Sequence, residues 1–267
     1  MTDASAPNPD SARLQSVAHD LWQAGTDRRP SGPPSALLGE DLDAAYQVQD
    51  LLTLRSLWAG ATVRGHKVTS LDGLPCFGVL FDAMEGNGPI GCGDLVAPRI
   101  QASVGFVVGE DLTGREIEQA TAPAVVSATV AVLEVTDTRL GTAAATQVDL
   151  VADNAGAARF VIGPEAAVPD PTQPWHGQLL HDDDVVADGD GIVRPWKAFA
   201  WLTRSLRDRG LPLRAGEVVV VGGLTRPVPL VGGDWTARVA GVGDVASRID
   251  PGAAPWRHEH PNTRSSA

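Results

Sequence analysis

Apolar and polar side chains alternate most cleanly in the stretch from Pro98 to Arg139. Ile100, Ala102, Val104 and Phe106 alternate with Gln101, Ser103 and Gly105, and the run stays apolar through Val107 and Val108. A period of two predicts a strand with one face in a core. Asp111-Leu112-Thr113-Gly114 ends it as a turn. A second strand is predicted over Val130-Ala131-Val132-Leu133-Glu134-Val135, a β-branched run holding a single carboxylate. A carboxylate there is costly to bury without a partner, so Glu134 sits either at a wet strand edge or against a polar pocket. Asp137 and Arg139 just beyond it offer a local ion pair at the strand end.

Upstream the period changes to that of helices. Leu14, Val17, Ala18 and Leu21 form an apolar stripe between Ser11 and Gly25, after a segment of about ten residues expected to be disordered. A Pro-, Gly- and Ser-rich loop runs from Thr26 to Gly39. A second helix, capped by Asp41 or Asp43, carries Ala44, Val48, Leu51, Leu52 and Leu54 to Trp58, and Gly60 stops it. A short strand covers Val63 to Val68. From Asp94 onward the pattern predicts mostly short strands with Gly and Pro turns, interrupted by one helix from Trp196 to Arg209 with Gly210 just past its end. The tail after Asp250, rich in Pro, Arg, His and Ser, reads as disordered. The chain divides into a helix and flexible loop at 1–39, a main domain at 40–249 and a tail at 250–267.

Composition narrows the classes. The 267 residues are 43% hydrophobic and 20% charged, enough for a substantial core. Twenty-one Lys and Arg against 33 Asp and Glu give a net charge of −12, which repels phosphate backbones and argues against a nucleic-acid partner. Cys76 and Cys92 show no CxxC or Cys/His cluster, so two inert thiols in a reduced, cytoplasmic setting are expected. The start, MTDASAPNPD, lacks the basic and apolar parts of a signal peptide, and no apolar run approaches membrane-spanning length.

Several blocks, in order over roughly residues 40 to 245, resemble the 2-keto-4-pentenoate hydratase / 4-oxalocrotonate decarboxylase family, a branch of the fumarylacetoacetate hydrolase superfamily. The blocks are Ala44 to Gln49, Gly65-His66-Lys67-Val68 with Thr69-Ser70, Phe77 to Met84, Val151 to Gly156, Leu213 to Thr225, and Gly233-Asp234. The resemblance implies an α+β fold, with N-terminal helices packed on a mixed, barrel-like β roll. It also implies a homo-oligomer. The family's Glu-x-Glu falls on Gln101-Ala102-Ser103, its third carboxylate on Glu134, and its Asp-Ser-Arg-like triplet on Asp137-Thr138-Arg139. Those three carboxylates hold a divalent metal in the family, and two of them are replaced here. Gly156 stands where the family usually has Ser.

Mg²⁺ and Mn²⁺ want hard oxygens with carboxylate charge among them. Gln101 and Ser103 supply neutral oxygens only, so a pocket without a metal cofactor is expected. Lys67 matches the family's general acid/base, against the plain alternative of an exposed strand-end lysine. It would stabilise an enolate, shuttle a proton or form a Schiff base with a ketone. Glu134 is its counter-ion, a base, or a structural partner of Arg139. Asp153 and Asn154 either position polar groups of a substrate or form a turn and cap. Thr225, after Gly222-Gly223, either presents backbone amides to an oxyanion or simply belongs to a turn that needs glycine. His66, adjacent to Lys67, faces the other side of its strand and reads as core or surface. His176, His181, His258 and His260 show no ligand spacing. The seven Trp residues read as packing and cover, with Trp175 or Trp196 as candidates for a pocket mouth.

The expected function is therefore hydratase/decarboxylase-like chemistry on an enolisable carbonyl substrate, by metal-independent acid/base catalysis with Lys67 and Glu134 central. Hydration, decarboxylation, isomerisation and cyclisation all fit, on a 2-oxo acid or on a less polar biosynthetic intermediate. The alternative is a non-catalytic paralogue that binds a small molecule or stabilises an intact family member in a hetero-complex.

Overall fold

The computed structural model describes residues 9–71, 73–86, 89–141, 145–191, 194–250 and 252. The terminal segments expected to be disordered lie outside these apart from positions 9, 10, 250 and 252. Pro9 and Asp10 are already helical, and Asp250 ends a strand. The first helix, α1 (Pro9–Asp27), runs two residues beyond the expected span at each end and buries Val17, Ala18 and Leu21. The connection read as a loop contains one turn of helix, α2 (Ser35–Leu38). In α3 (Leu42–Trp58) the cap is Asp41, whose side chain accepts the Ala44 amide at 2.9 Å. Trp58 departs from the expectation of packing: it is 84% exposed at the helix end. Trp22 instead packs under the Arg55 guanidinium, 4.0 Å from its ring centroid.

The strands form two sheets. The larger has the order β2 (Leu74–Phe81), β1 (Val63–Leu71), β9 (Val218–Val221), β4 (Arg99–Val108), β5 (Val126–Thr136), β6 (Ala157–Ile162), with β10 (Val228–Pro229) pairing β4. Only β1–β9 in this sheet is parallel, so the sheet is mixed. That pairing needs Gly65: at φ +151° its missing side chain makes room for the Val218 carbonyl oxygen, which a Cβ would approach to 1.9 Å. Glu85 bridges to Phe160 on β6, and the Gly86 amide donates to the Phe160 carbonyl at 2.8 Å, joining the two ends of the sheet into a roll. The second sheet, β3 (Ile90–Gly91), β12 (Gly243–Asp250), β11 (Gly233–Val239), β7 (Gly177–His181) and β8 (Asp184–Gly189), packs against β4 and β5.

Among the described residues two α-helices interrupt the strands rather than the one expected. The long one, α5 (Pro195–Asp208), lies within one residue of its expected span. The other, α4 (Gln147–Ala152), is six residues long, too short for a periodic signal. Thr146 and Asp149 form its capping box, and the Asp149 carboxylate also accepts the Ser35 amide at 2.7 Å and hydroxyl at 3.0 Å. One carboxylate thus caps a helix and ties the N-terminal segment to the main body. The architecture is α+β, helices around a curled mixed sheet. Among the described residues no helix is long and apolar enough to cross a membrane.

The roll separates two cores. Val68, Val104, Phe106, Leu133 and Val221 belong to the large core shared with the helices and the second sheet. Leu80, Val130, Val132, Phe160, Val218 and Val220 pack together on the other face.

Candidate active site

Register decides which side chains share that second face. Lys67 pairs with Gly78 on β2 and Val220 on β9, Gln101 with Glu134, and Ser103 with Val132. Residues opposite one another in a ladder project to the same side, so Lys67, Gln101, Ser103 and Glu134 meet among the valines of the smaller core. Lys67 Nζ lies 2.5 Å from Glu134 Oε1. Oε2 accepts from Ser103 Oγ at 2.6 Å and from Gln101 Nε2 at 2.8 Å. The side chains of Lys67 and Glu134 are 1% and 4% exposed. Of the three roles open to Glu134, the geometry selects contact with Lys67 and excludes pairing with Arg139.

Electrostatics follow from that enclosure. Burial alone would push the Glu134 carboxyl up, but the Lys67 ammonium, joined by hydrogen bonds from Ser103 and Gln101, holds it below the usual carboxylate range. Glu134 is therefore ionised, and all its described polar neighbours donate to it or carry positive charge.

Gly222 closes the cluster. Its amide continues the ladder by donating to the Val68 carbonyl at 3.0 Å, and a Cβ here would stand 3.0 Å from both Gln101 Nε2 and Glu134 Oε2. By sequence alone this glycine reads only as part of a turn. Nothing local marks it, because its neighbours come from β4 and β5.

The remaining candidates lie in other networks. Asp153 binds Arg139 by an ion pair and accepts the Arg139 amide at 2.9 Å. Arg139 therefore does not form the expected pair with Asp137, whose carboxylate accepts the Val96 and Ala97 amides. Burial raises the Asp137 and Asp153 carboxyls. Asn154 hydrogen-bonds both backbone groups of Val79 on the sheet's edge strand, β2, at 2.8 and 2.9 Å. Its backbone approaches Gly78, opposite Lys67. Thr225 Oγ1 accepts the Ala102 amide at 3.0 Å, while the Leu224 and Thr225 amides donate to the Ala102 carbonyl. These contacts fix the loop after β9 against β4 and leave no Thr225 amide free for an oxyanion. His66 faces the large core, as its neighbour's orientation requires, with its ring 6.0 Å from Phe77. Trp196 is buried against Phe106, ring centroids 4.2 Å apart, rather than lining a mouth; Trp175 meets both rings edge-on.

No protein-family model matches the chain. Individual relatives do. The TodF product hydratase of Pseudomonas putida is 32% identical over 260 residues, covering 89% of this chain and 97% of the relative. The chain belongs to the 2-keto-4-pentenoate hydratase / 4-oxalocrotonate decarboxylase family. A 2-keto-4-pentenoate hydratase of Paraburkholderia xenovorans is 31% identical over 257 residues, covering 88% and 94% of the two chains. The 4-oxalocrotonate decarboxylase of Pseudomonas putida G7, solved with magnesium and adipate, superposes with a TM-score of 0.82 at 25% identity over 90% of this chain and 98% of that one. The family is one of lyase-type enzymes on the fumarylacetoacetate hydrolase fold.

The magnesium in that decarboxylase poses a test for the residues here. A hard dication needs carboxylate oxygens free to coordinate it. Among the described residues there is no group of three His, Cys, Asp or Glu able to hold a metal. Gln101, Ser103 and Glu134 offer one carboxylate, one of whose oxygens contacts an ammonium while the other accepts two hydrogen bonds. This donor set does not fit a magnesium ion.

Proposed function

We infer that this protein carries out hydratase/decarboxylase-like chemistry on an enolisable carbonyl substrate without a divalent metal, using the Lys67–Glu134 pair. The observation that carries the reading is the buried ammonium 2.5 Å from a carboxylate whose second oxygen is held by Ser103 and Gln101. A preorganised cation in a water-poor site stabilises negative charge developing on an enolate oxygen. Glu134, ionised and oriented, accepts the proton from the carbon beside the carbonyl and returns it to the product. Lys67 supports the oxyanion while the proton is away. All four reactions pass through an enolate that Lys67 would stabilise: deprotonation by Glu134 forms it in isomerisation and cyclisation, loss of CO₂ forms it in decarboxylation, and addition of water to a conjugated enone forms it in hydration, each ending with a proton returned to carbon. Candidate substrates are a 2-oxo acid, as the relatives' names state for them, or a biosynthetic ketone of the polyketide type. Gln101 and Ser103 orient the base in this scheme, and Asp153, Asn154 and Thr225 hold the walls.

The test is turnover of 2-keto-4-pentenoate and of enolisable ketones before and after exhaustive chelation. Activity should survive chelator and fall at least ~100-fold in Lys67→Ala, the lower end for a general acid/base group. Activity abolished by chelator and restored by Mg²⁺ refutes metal independence. Undiminished activity in Lys67→Ala removes the mechanism.

The near-complete burial of the pair favours a second reading, a non-catalytic paralogue in complex with an intact family member. Homogeneous self-assembled protein with turnover excludes it; co-purification with an active relative supports it.

A further inference from the structure

The turn between α4 and β6 has a backbone that few chains adopt readily. Asn154, Ala155 and Gly156 stand in the left-handed region one after another, at φ 54°, 54° and 65°. Glycine takes that conformation freely and asparagine tolerates it, but for Ala155 it carries strain. Such strain persists only where surrounding contacts over-determine the backbone. Here they do so on two sides. The Gly156 carbonyl accepts the Asp137 amide at 3.0 Å just past the end of β5, and the chain runs on as β6, paired with β5. On its other side the turn leans on β2.

The contact with β2 has two parts. The Asn154 side chain accepts the Val79 amide at 2.8 Å and donates to the Val79 carbonyl at 2.9 Å, as a neighbouring strand would on this outer edge. The Asn154 backbone carbonyl fills the side-chain space of Gly78, where a Cβ would come within 2.2 Å of its oxygen. Gly78 lies directly opposite Lys67 in the ladder, so that space is on the face of Lys67. Cβ positions opposite one another stand about 4.5–5.5 Å apart, which puts the turn beside the stem of the lysine.

In the sheet, Lys67 on β1 and Glu134 on β5 are separated by β9 and β4. The turn links them the other way round: β5 pairs with β6, Asn154 joins the start of β6 to β2, and β2 pairs with β1. A ring closed on both sides fixes the gap across it. The seam between Gly86 and Phe160 closes the same ring farther along the chain, so the fold has a second closure, but the one at the level of Lys67 is Asn154.

We propose that Asn154 is a positioning residue for Lys67: its side chain clasps the edge strand β2 to the start of β6, and its backbone carbonyl, seated over Gly78, holds the lysine stem so that the ammonium meets Glu134. This rests on the function argued above, in which that contact carries the chemistry.

The test uses the lysines themselves. The chain has two, Lys67 buried and Lys197 exposed, so the full-length protein made with ¹⁵N-labelled lysine shows one sheltered and one solvent-exchanging ammonium by NMR. Asn154→Gly keeps the left-handed backbone and deletes only the side-chain bonds. It should speed exchange of the Lys67 ammonium protons with water at least ~10-fold, the scale of one lost hydrogen bond. Gly78→Ala, which drives the Asn154 carbonyl from its seat, should do the same with Asn154 intact. Ala155→Gly relieves the strain and keeps the clasp, so the Lys67 signal should stay as in wild type. Thr203→Val, which removes a buried bond to the Ile117 amide from α5, should also leave it unchanged. A wild-type Lys67 signal in Asn154→Gly, or an equal change in Thr203→Val, overturns the positioning role.

Exchange of the α-protons of 2-oxopentanoate in D₂O separates this claim from the one it rests on. Its rate at saturation should fall at least ~10-fold in Asn154→Gly, again the scale of one hydrogen bond, with KM little changed because Asn154 holds a strand and not the substrate. Exchange lost in Lys67→Ala but untouched in Asn154→Gly overturns the clasp alone. Exchange absent from wild type, or persisting in Lys67→Ala, overturns the function argued above and with it the catalytic meaning of the clasp.

Discussion

Replacing Lys67 by Met removes the ammonium while roughly keeping the length of the side chain. Glu134 is then a buried carboxylate with only Ser103 and Gln101 donating to it. Breaking a buried pair at one end costs about 3–5 kcal/mol, because the partner's desolvation is no longer compensated. That is a large share of a total stability of about 5–15 kcal/mol. The sign of the pH dependence follows from Glu134. In the wild type its carboxyl lies below the usual range, so it contributes stability above the unfolded-state value, lost as pH falls through the folded one. In Lys67→Met burial is left largely unopposed and the carboxyl rises. The variant is then penalised most at neutral pH and recovers on acidification, by up to about 1.4 kcal/mol per pH unit. Urea unfolding followed by the fluorescence of the seven tryptophans, at several pH values from 5 to 8, measures the difference. The double variant Lys67→Met/Glu134→Gln should cost less than the sum of its singles, since neither charge is stranded. A single-variant loss below about 1 kcal/mol, or one flat across that pH range, would refute the reasoning.

Two further expectations concern the same region. His66 is buried, and burial holds its imidazole down at about 4, so the fold favours the neutral ring. Its contribution is complete above about pH 6.5 and is lost as pH falls toward 4, at most roughly 3 kcal/mol; His66→Leu should flatten that part of the urea-midpoint profile, and an unchanged profile would show that the folded ring takes up its proton as readily as the unfolded one. Gly222→Ala places a methyl group 3.0 Å from Gln101 Nε2 and Glu134 Oε2. Moderate overpacking of about 1–3 kcal/mol is expected, together with reduced turnover, and a variant matching wild type in both would show that the cluster yields freely.

The alternation of Ile100 to Phe106 and the β-branched run around Glu134 were enough to place β4 and β5, because side chains on a strand repeat every two residues wherever one face is buried. The stripe in α3 and the cap at Asp41 were legible for the equivalent reason in a helix. The short α4 carries no periodic signal, because so few turns cannot display one. The Asp137–Arg139 pair suggested by proximity along the chain gave way to Arg139–Asp153, since Asp137 turns to the Val96 and Ala97 amides. Exposure at Trp58 likewise depends on where α3 ends relative to its neighbours.

By itself, then, the sequence determined the longer strands and helices and the family, and it put Gln101 and Ser103 where the resemblance implies carboxylates. It named Lys67 and Glu134 but left two partners open for the carboxylate, Lys67 and Arg139. Only the tertiary structure decided between them, because Lys67 and Glu134 are joined through the parallel β1–β9 pairing and the antiparallel β9–β4–β5 ladder rather than through nearby chain. Once that register is fixed, a charged lysine and a glutamate share one enclosed, valine-lined face. In so little water they meet each other before they meet anything else.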